Sequence, residues 1–193
     1  MRSSRWLAAR IALLLAASLC TNAGASAASD DHEIESRPVP HGDLRLVTDS
    51  RGVGRLVYVP RSGPPQPIDC EPLVGAWGLW IGDVDGDGKP EAIVALRKVA
   101  RFDPIIENRL HVYHLIDGQC VPAWRGTRLV GRFDRIAVEG DRILVLERMG
   151  QGWQRIARYR WAGFGYQVEE ELWRGRGLPD RRWMAKFDKG APR

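Results

Sequence analysis

The stretch Asp83-Val84-Asp85-Gly86-Asp87-Gly88-Lys89-Pro90-Glu91 decides the fold, together with Leu79-Trp80-Ile81 before it and Ala92-Ile93-Val94-Ala95-Leu96 after it. Carboxylates stand at alternate positions 83, 85 and 87, and a fourth follows at 91. Like charges this close repel and raise one another's pKa. A hard cation removes that cost, and calcium takes six to eight oxygen ligands at about 2.3–2.6 Å. The ligands this spacing predicts are the side chains of Asp83, Asp85 and Asp87, the backbone carbonyl of Lys89, and Glu91. Gly88 falls where the loop turns back, a place for positive φ. An EF-hand needs a bidentate Glu at loop position twelve and a helix on each side. Position twelve here is Val94, and both flanks are short apolar runs rich in β-branched or aromatic residues. The reading is strand–loop–strand. The alternative is an acidic hairpin turn that holds no metal.

Outward from the loop, the chain repeats at a period of about fifty residues. A first strand is predicted at Leu44–Val47, Ile93–Leu96 and Ile143–Leu146, and a second at Arg55–Val59, Arg109–Tyr113 and Arg155–Tyr159. Turns follow at Ser62-Gly63, Asp117-Gly118 and Gly163-Phe164-Gly165. A third strand ends at Leu73-Val74-Gly75, Trp124-Arg125-Gly126 and Trp173-Arg174-Gly175. Equivalents of the acidic loop are expected at Phe133–Asp141 and Met184–Gly190, both short of carboxylates. Ala100–Asn108 reads as an insertion that forms a longer loop. The expected fold is all-β: three tandem antiparallel modules resembling propeller blades in a partial or open assembly. One cation site is expected, not three.

The ends bound the compartment. Arg2, Arg5 and Arg10, the apolar run Ile11–Leu19 and the small-residue site Ala25-Ser26-Ala27 make residues 1–27 a secretory signal peptide. Cys20 follows Leu19, which is not the small residue that lipid attachment requires, so acylation is not expected. No other apolar run approaches the ~20 residues of a membrane-spanning helix. Residues 28–41 are polar and carry prolines, and they read as a flexible leader ahead of a β-repeat domain at 42–193.

The chain's net charge is +5. The three signal-peptide arginines account for 3 of it, leaving 5 − 3 = +2. Such a balance does not call for nucleic acid. The basic run Arg174, Arg176, Arg181, Arg182, Lys186, Lys189 and Arg193 reads as a solvated surface, with anionic lipid or polysaccharide as the alternative. Beyond the leader only Cys70 and Cys120 remain. In an oxidising compartment such a pair usually bonds, here joining the first module to the second. Two buried thiols are the alternative.

Strand, D-x-D-G-D-G-x-x-E and strand, within a fifty-residue repeat, resembles the FG-GAP and VCBS-type repeats of integrin-α-like propellers and many secreted bacterial proteins. The match is specific over Asp83–Leu96 and looser over Asp43–Gly190. The resemblance implies a structural calcium held by Asp83, Asp85, Asp87, the Lys89 carbonyl and Glu91. It also implies a periplasmic or secreted bacterial protein with a structural or protein-interaction role. Three modules are fewer than the four to eight blades of a closed propeller, so self-association or an open β-assembly is expected.

Other chemistries have weaker sequence support. Ser29, Ser36, Ser50 and Ser62 sit in no nucleophile elbow. Asp103 and Glu107 are the one pair of carboxylates suited to glycoside hydrolysis, but nearby arginines favour ion pairs. The chain therefore reads as a non-enzyme. A carbohydrate-binding role for the cell envelope is the main alternative, because Trp77, Trp80, Trp124, Trp153, Trp161, Trp173 and Trp183 could stack on sugars. The matched places of Trp124 and Trp173 argue for core positions, and Trp153 is the best exposed candidate. His111 and His114 are three apart on a predicted strand and face opposite ways, which argues against shared ligation.

Overall fold

The computed structural model describes residues 31–126 and 129–188. The signal peptide at 1–27, Cys20, and the terminal Lys189, Gly190 and Arg193 lie outside the described residues.

Three antiparallel sheets follow one another along the chain. The first holds β1 (His32–Val39), β2 (Gly42–Thr48), β3 (Val53–Pro60), and two short strands, β4 (Gln66–Pro67) and β5 (Leu73–Val74), that both pair with β3. The second runs in order through β6 (Ala76–Gly82), β7 (Glu91–Ala100), β8 (Asp103–Ile116) and β9 (Gln119–Arg125). The third runs through β10 (Arg132–Glu139), β11 (Arg142–Gly150), β12 (Trp153–Trp161) and β13 (Tyr166–Arg176). A single helix, α1 (Arg181–Asp188), ends the described chain. The protein is all-β, in blade-like modules of four or five strands.

The middle sheet is covered on both faces, and its sequence shows it. Residues 91–96 of β7 are all buried, as the near-continuous apolar run of a doubly covered strand requires. One face packs Leu79, Val94, Leu96 and Tyr113 against Leu44, Leu46 and Leu56 of the first sheet. The other packs Ile93, Ala95 and Val112 against Phe133, Val145, Ala157 and Tyr159 of the third. The third sheet's far face, with Leu144, Leu146 and Ile156, is closed by Phe187 of α1. Asp180 caps that helix, its carboxylate accepting the Trp183 N–H at 3.1 Å.

Trp124 and Trp173 do occupy matched places against the core clusters. Each indole lies over the glycine two residues on. A Cβ on Gly126 would stand 2.1 Å from the Trp124 ring, and one on Gly175 would stand 2.6 Å from the Trp173 ring. The repeated Trp-Arg-Gly is therefore a close approach of indole to backbone.

The sequence reading needs five corrections. First, the leader proposed at 28–41 is mostly strand β1. Its polarity serves a neighbour's backbone: the Glu35 carboxylate accepts the Leu79 N–H at 3.0 Å, and Arg37 Nε donates to the Leu79 carbonyl at 2.8 Å. Second, Ala100–Asn108 is not a loop insertion, because β7 and β8 extend through it as one long hairpin. Third, the third strand of the first module is broken into β4 and β5. Fourth, Phe133–Asp141 is strand β10 plus a two-residue turn, Gly140-Asp141. Fifth, Met184–Asp188 is helical, not a loop.

Cys70 and Cys120 are bonded, with Cα atoms 4.9 Å apart, inside the usual disulfide range. The bond ties the segment between β4 and β5 to β9, as does the Cys120 N–H to the Asp69 carbonyl at 2.8 Å. Two polar groups of side chains are built into the fold. Glu147 is fully buried. Its Oε1 accepts from the Gly131 N–H at 2.9 Å and the Tyr159 hydroxyl at 2.6 Å, and its Oε2 accepts from Arg155 Nε at 2.6 Å. Near the disulfide, the Tyr113 hydroxyl donates to Glu71 at 2.7 Å and lies 3.0 Å from His111 Nδ1.

Candidate metal centre

The acidic loop, residues 83–90, joins β6 to β7. Its backbone is organised by its own carboxylates. Asp83 accepts the Gly86 and Gly88 N–H groups at 2.9 and 3.0 Å. Asp85 accepts the Asp87 N–H at 3.0 Å, and Asp87 accepts the Lys89 N–H at 2.8 Å. Gly86 and Gly88 have φ of 81° and 88°, which non-glycine residues adopt at a cost. The loop is anchored by Val84, which is fully buried between the second and third sheets. The Tyr166 hydroxyl of β13 reaches the Val84 carbonyl at 3.5 Å.

The predicted side-chain ligands come together in two overlapping groups. Carboxylate oxygens of Asp83, Asp85 and Asp87 lie within 4.8 Å of one another. Asp85 and Glu91 form the second group, together with His114. Lys89 stands exposed in the loop, and its N–H tie to Asp87 fixes its place there. Glu91 is the innermost member and is fully buried. Its Oε2 accepts the Val84 N–H at 2.8 Å, while its Oε1 has no hydrogen-bond partner. Burial pushes the Glu91 pKa up, opposed by the Val84 N–H; the Asp85 and Asp87 charges add to the rise and His114 counters it. Burial together with the Glu91 and Asp85 charges likewise holds the Tyr166 hydroxyl protonated far above its ordinary range. A buried carboxylate oxygen without a hydrogen bond, grouped with Asp85, which itself clusters with Asp83 and Asp87, fits a hard divalent cation, which takes oxygen donors.

His114 was missed as a member of this cluster. The signal that finds it is strand register: Glu91 and His114 are directly paired across β7 and β8. His111 and His114 do face opposite ways. His111 is buried beside Tyr113 on the side of the first sheet, whereas His114 stands near Asp85 and Glu91.

The carboxylate pair considered for hydrolysis is committed elsewhere. Asp103 pairs with Arg109 at 3.0 Å and Glu107 with Arg132 at 2.6 Å. Trp153 is 38 % exposed, and its ring carries the Arg176 guanidinium 5.4 Å from the centroid. Trp77 lines an open cleft of about 610 Å³ where the three sheets meet, with Thr48, Arg97, Asn108 and Asp134. Among the described residues, no helix is long and apolar enough to cross a membrane.

Fold and site together define an all-β protein of three blade-like modules with one acidic loop at the first turn of its middle sheet. No family model matches the chain, and no curated protein matches it. Among solved structures it is similar to a Xanthomonas type IV secretion system related protein, at 11% identity and a TM-score of 0.39, over 74% of this chain and 85% of that one.

Proposed function

We propose that this is a periplasmic or secreted bacterial β-repeat protein of the FG-GAP/VCBS type, stabilised by calcium, that acts structurally or by binding another protein and not by catalysis. The observation that carries this reading is Glu91: a fully buried carboxylate whose Oε1 has no hydrogen-bond partner, at the base of a loop that gathers Asp83, Asp85 and Asp87. Crowded carboxylates destabilise a fold unless a cation offsets their repulsion. Calcium bound by Asp83, Asp85, Asp87, Glu91 and the Lys89 carbonyl would lock the loop onto Val84. The disulfide suits an oxidising compartment. Self-association to complete the assembly would use the first sheet, because α1 already covers the far face of the third.

The test is isothermal titration of the chelator-treated protein with calcium. The expected Kd is about 10⁻⁴–10⁻³ M, as for extracellular modules. Asp83→Ala and Asp87→Ala should each weaken binding. Heat that is the same in both variants as in the wild type would mean the loop is only an acidic turn.

The cleft around Trp77 favours a second reading, recognition of a cell-envelope glycan. The half-buried indole of Trp77 lines this cleft beside Thr48, Asn108 and Asp134, which give it polar edges. Quenching of tryptophan fluorescence by a glycan panel, absent in Trp77→Ala, would support it.

A further inference from the structure

The second ligand group adds a nitrogen donor to two carboxylates of the calcium reading. It joins Asp85 and Glu91 to an imidazole, all with ligand atoms within 4.8 Å. His114 Nδ1 lies 3.3 Å from Glu91 Oε1, and its Nε2 lies 3.7 Å from Asp85 Oδ2. The first contact leaves Glu91 Oε1 without a hydrogen bond, and the second is beyond hydrogen-bond length. The three side chains thus converge at ion-pair distance with no hydrogen bond among them. Glu91 is fully buried and aimed into the group, whereas the His114 side chain is 27% exposed and opens it to solvent. The pairing of Glu91 with His114 across β7 and β8 holds two of the three donors on one rigid hairpin.

Imidazole nitrogen suits zinc, copper, iron and nickel, whereas carboxylate and carbonyl oxygens suit calcium, magnesium and manganese. Zinc accepts both imidazole nitrogen and carboxylate oxygen, and three protein ligands leave it an open position. We propose that Asp85, Glu91 and His114 form a second cation site, for a borderline first-row divalent ion of the Zn²⁺ class, overlapping the calcium loop through Asp85 and Glu91. The inference rests on the reading of the loop as a cation centre, but it adds a metal of different chemistry and a ligand outside the loop. Asp83 and Asp87 belong to one group alone and His114 to the other, so substitutions separate the two.

The test titrates Zn²⁺, and Co²⁺ as a coloured probe, into the purified protein, with melting temperature and visible absorption as readouts. Calcium titrations run beside them on wild type, Asp83→Ala, His114→Ala and His114→Gln. Zn²⁺ should raise the melting temperature of wild type and Asp83→Ala. Both His114 variants should lose more than about 100-fold in Zn²⁺ affinity, since even a ligand's supporting partner is worth 10–100-fold. The Co²⁺ bands should vanish in them. Two His114 variants guard against one that fails to fold, and a retained calcium response shows the fold intact. Zn²⁺ binding that is equal with and without His114, or absent from wild type, overturns the proposal. Zn²⁺ binding that depends on His114 in a protein indifferent to calcium overturns only the calcium reading.

Discussion

Replacing Glu147 with alanine should be among the most damaging single changes in this protein, for reasons independent of any metal. The carboxylate takes three donors at once: the Gly131 N–H, the Tyr159 hydroxyl and Arg155 Nε, at 2.6–2.9 Å. Arg155 is only 7 % exposed, and its other carboxylate, Glu171, stands 3.7 Å away on the exposed face of β13. Alanine at 147 therefore leaves a buried guanidinium largely without a counter-charge and two neutral donors without acceptors. Breaking a buried ion pair from one side costs about 3–5 kcal/mol. That is a large share of the 5–15 kcal/mol typical of a whole domain. Chemical denaturation followed by tryptophan fluorescence gives the number. Glu147→Gln should cost less, because one side-chain oxygen remains to accept from Gly131 or Tyr159. The double variant Glu147→Ala/Arg155→Ala should cost less than the sum of its parts, since removing both charges leaves neither stranded. A loss below about 1 kcal/mol for Glu147→Ala, or strict additivity in the double variant, would refute the argument that this carboxylate closes a buried network.

Three further outcomes are expected. Reducing the Cys70–Cys120 bond, or replacing both cysteines with serine, should lower stability by about 4 kcal/mol on the chain-entropy model for a separation of 50 residues, read as a shift in the denaturation midpoint. His111 should make the fold sensitive to acid: burial pushes its pKa down to about 4, with Lys98 and Arg125 acting the same way and Glu71 opposing. The unfolded chain then binds the extra proton first, so this contribution is complete above about pH 6.5 and is lost as pH falls from there to about 4, by at most about 3 kcal/mol; His111→Gln should flatten that part of the stability–pH curve relative to wild type. At free calcium ten to a hundred times Kd, stabilisation should reach about 1.4–2.7 kcal/mol, and chelation should speed amide exchange at the ends of β6 and β7 and around Tyr166 while leaving the first sheet unchanged.

The acidic loop and the modules were legible because each has a strong local pattern. Three aspartates at alternate positions mark a loop whose carboxylates hold its own backbone N–H groups, and β7, buried on both faces, reads as one apolar run. Trp-Arg-Gly was legible as a repeat, although its reason, an indole lying over a glycine, needed coordinates. What escaped was decided by pairing at a distance. β1 reads as a polar leader because Glu35 and Arg37 spend their polarity on the Leu79 backbone, more than forty residues on. His114 escaped because only the β7–β8 register sets it opposite Glu91. The closing helix was hidden by its shortness, eight residues of which Phe187 alone is fully buried.

The place of the loop explains why one module can carry the acidic cluster. In the first and third sheets the connection between the first two strands is two residues, Pro40-His41 and Gly140-Asp141; in the middle sheet it is the eight residues 83–90. A loop of that length at the edge of an outer sheet would have a neighbour on one side only. In the middle sheet it can lean on another module: Val84 enters the core shared with the third sheet, and Tyr166, set edge-to-face with Trp124 and Trp161 at 5.2 and 5.3 Å, points its hydroxyl at the Val84 carbonyl at 3.5 Å. The carboxylates are thereby gathered at a junction of two modules, and Glu91 carries the same junction into the start of β7. A cation at this point would bear on the packing of the second sheet against the third, not merely on the loop. Under the calcium reading proposed above, that coupling would give the buried, half-satisfied Glu91 a physical purpose that an ordinary acidic turn lacks.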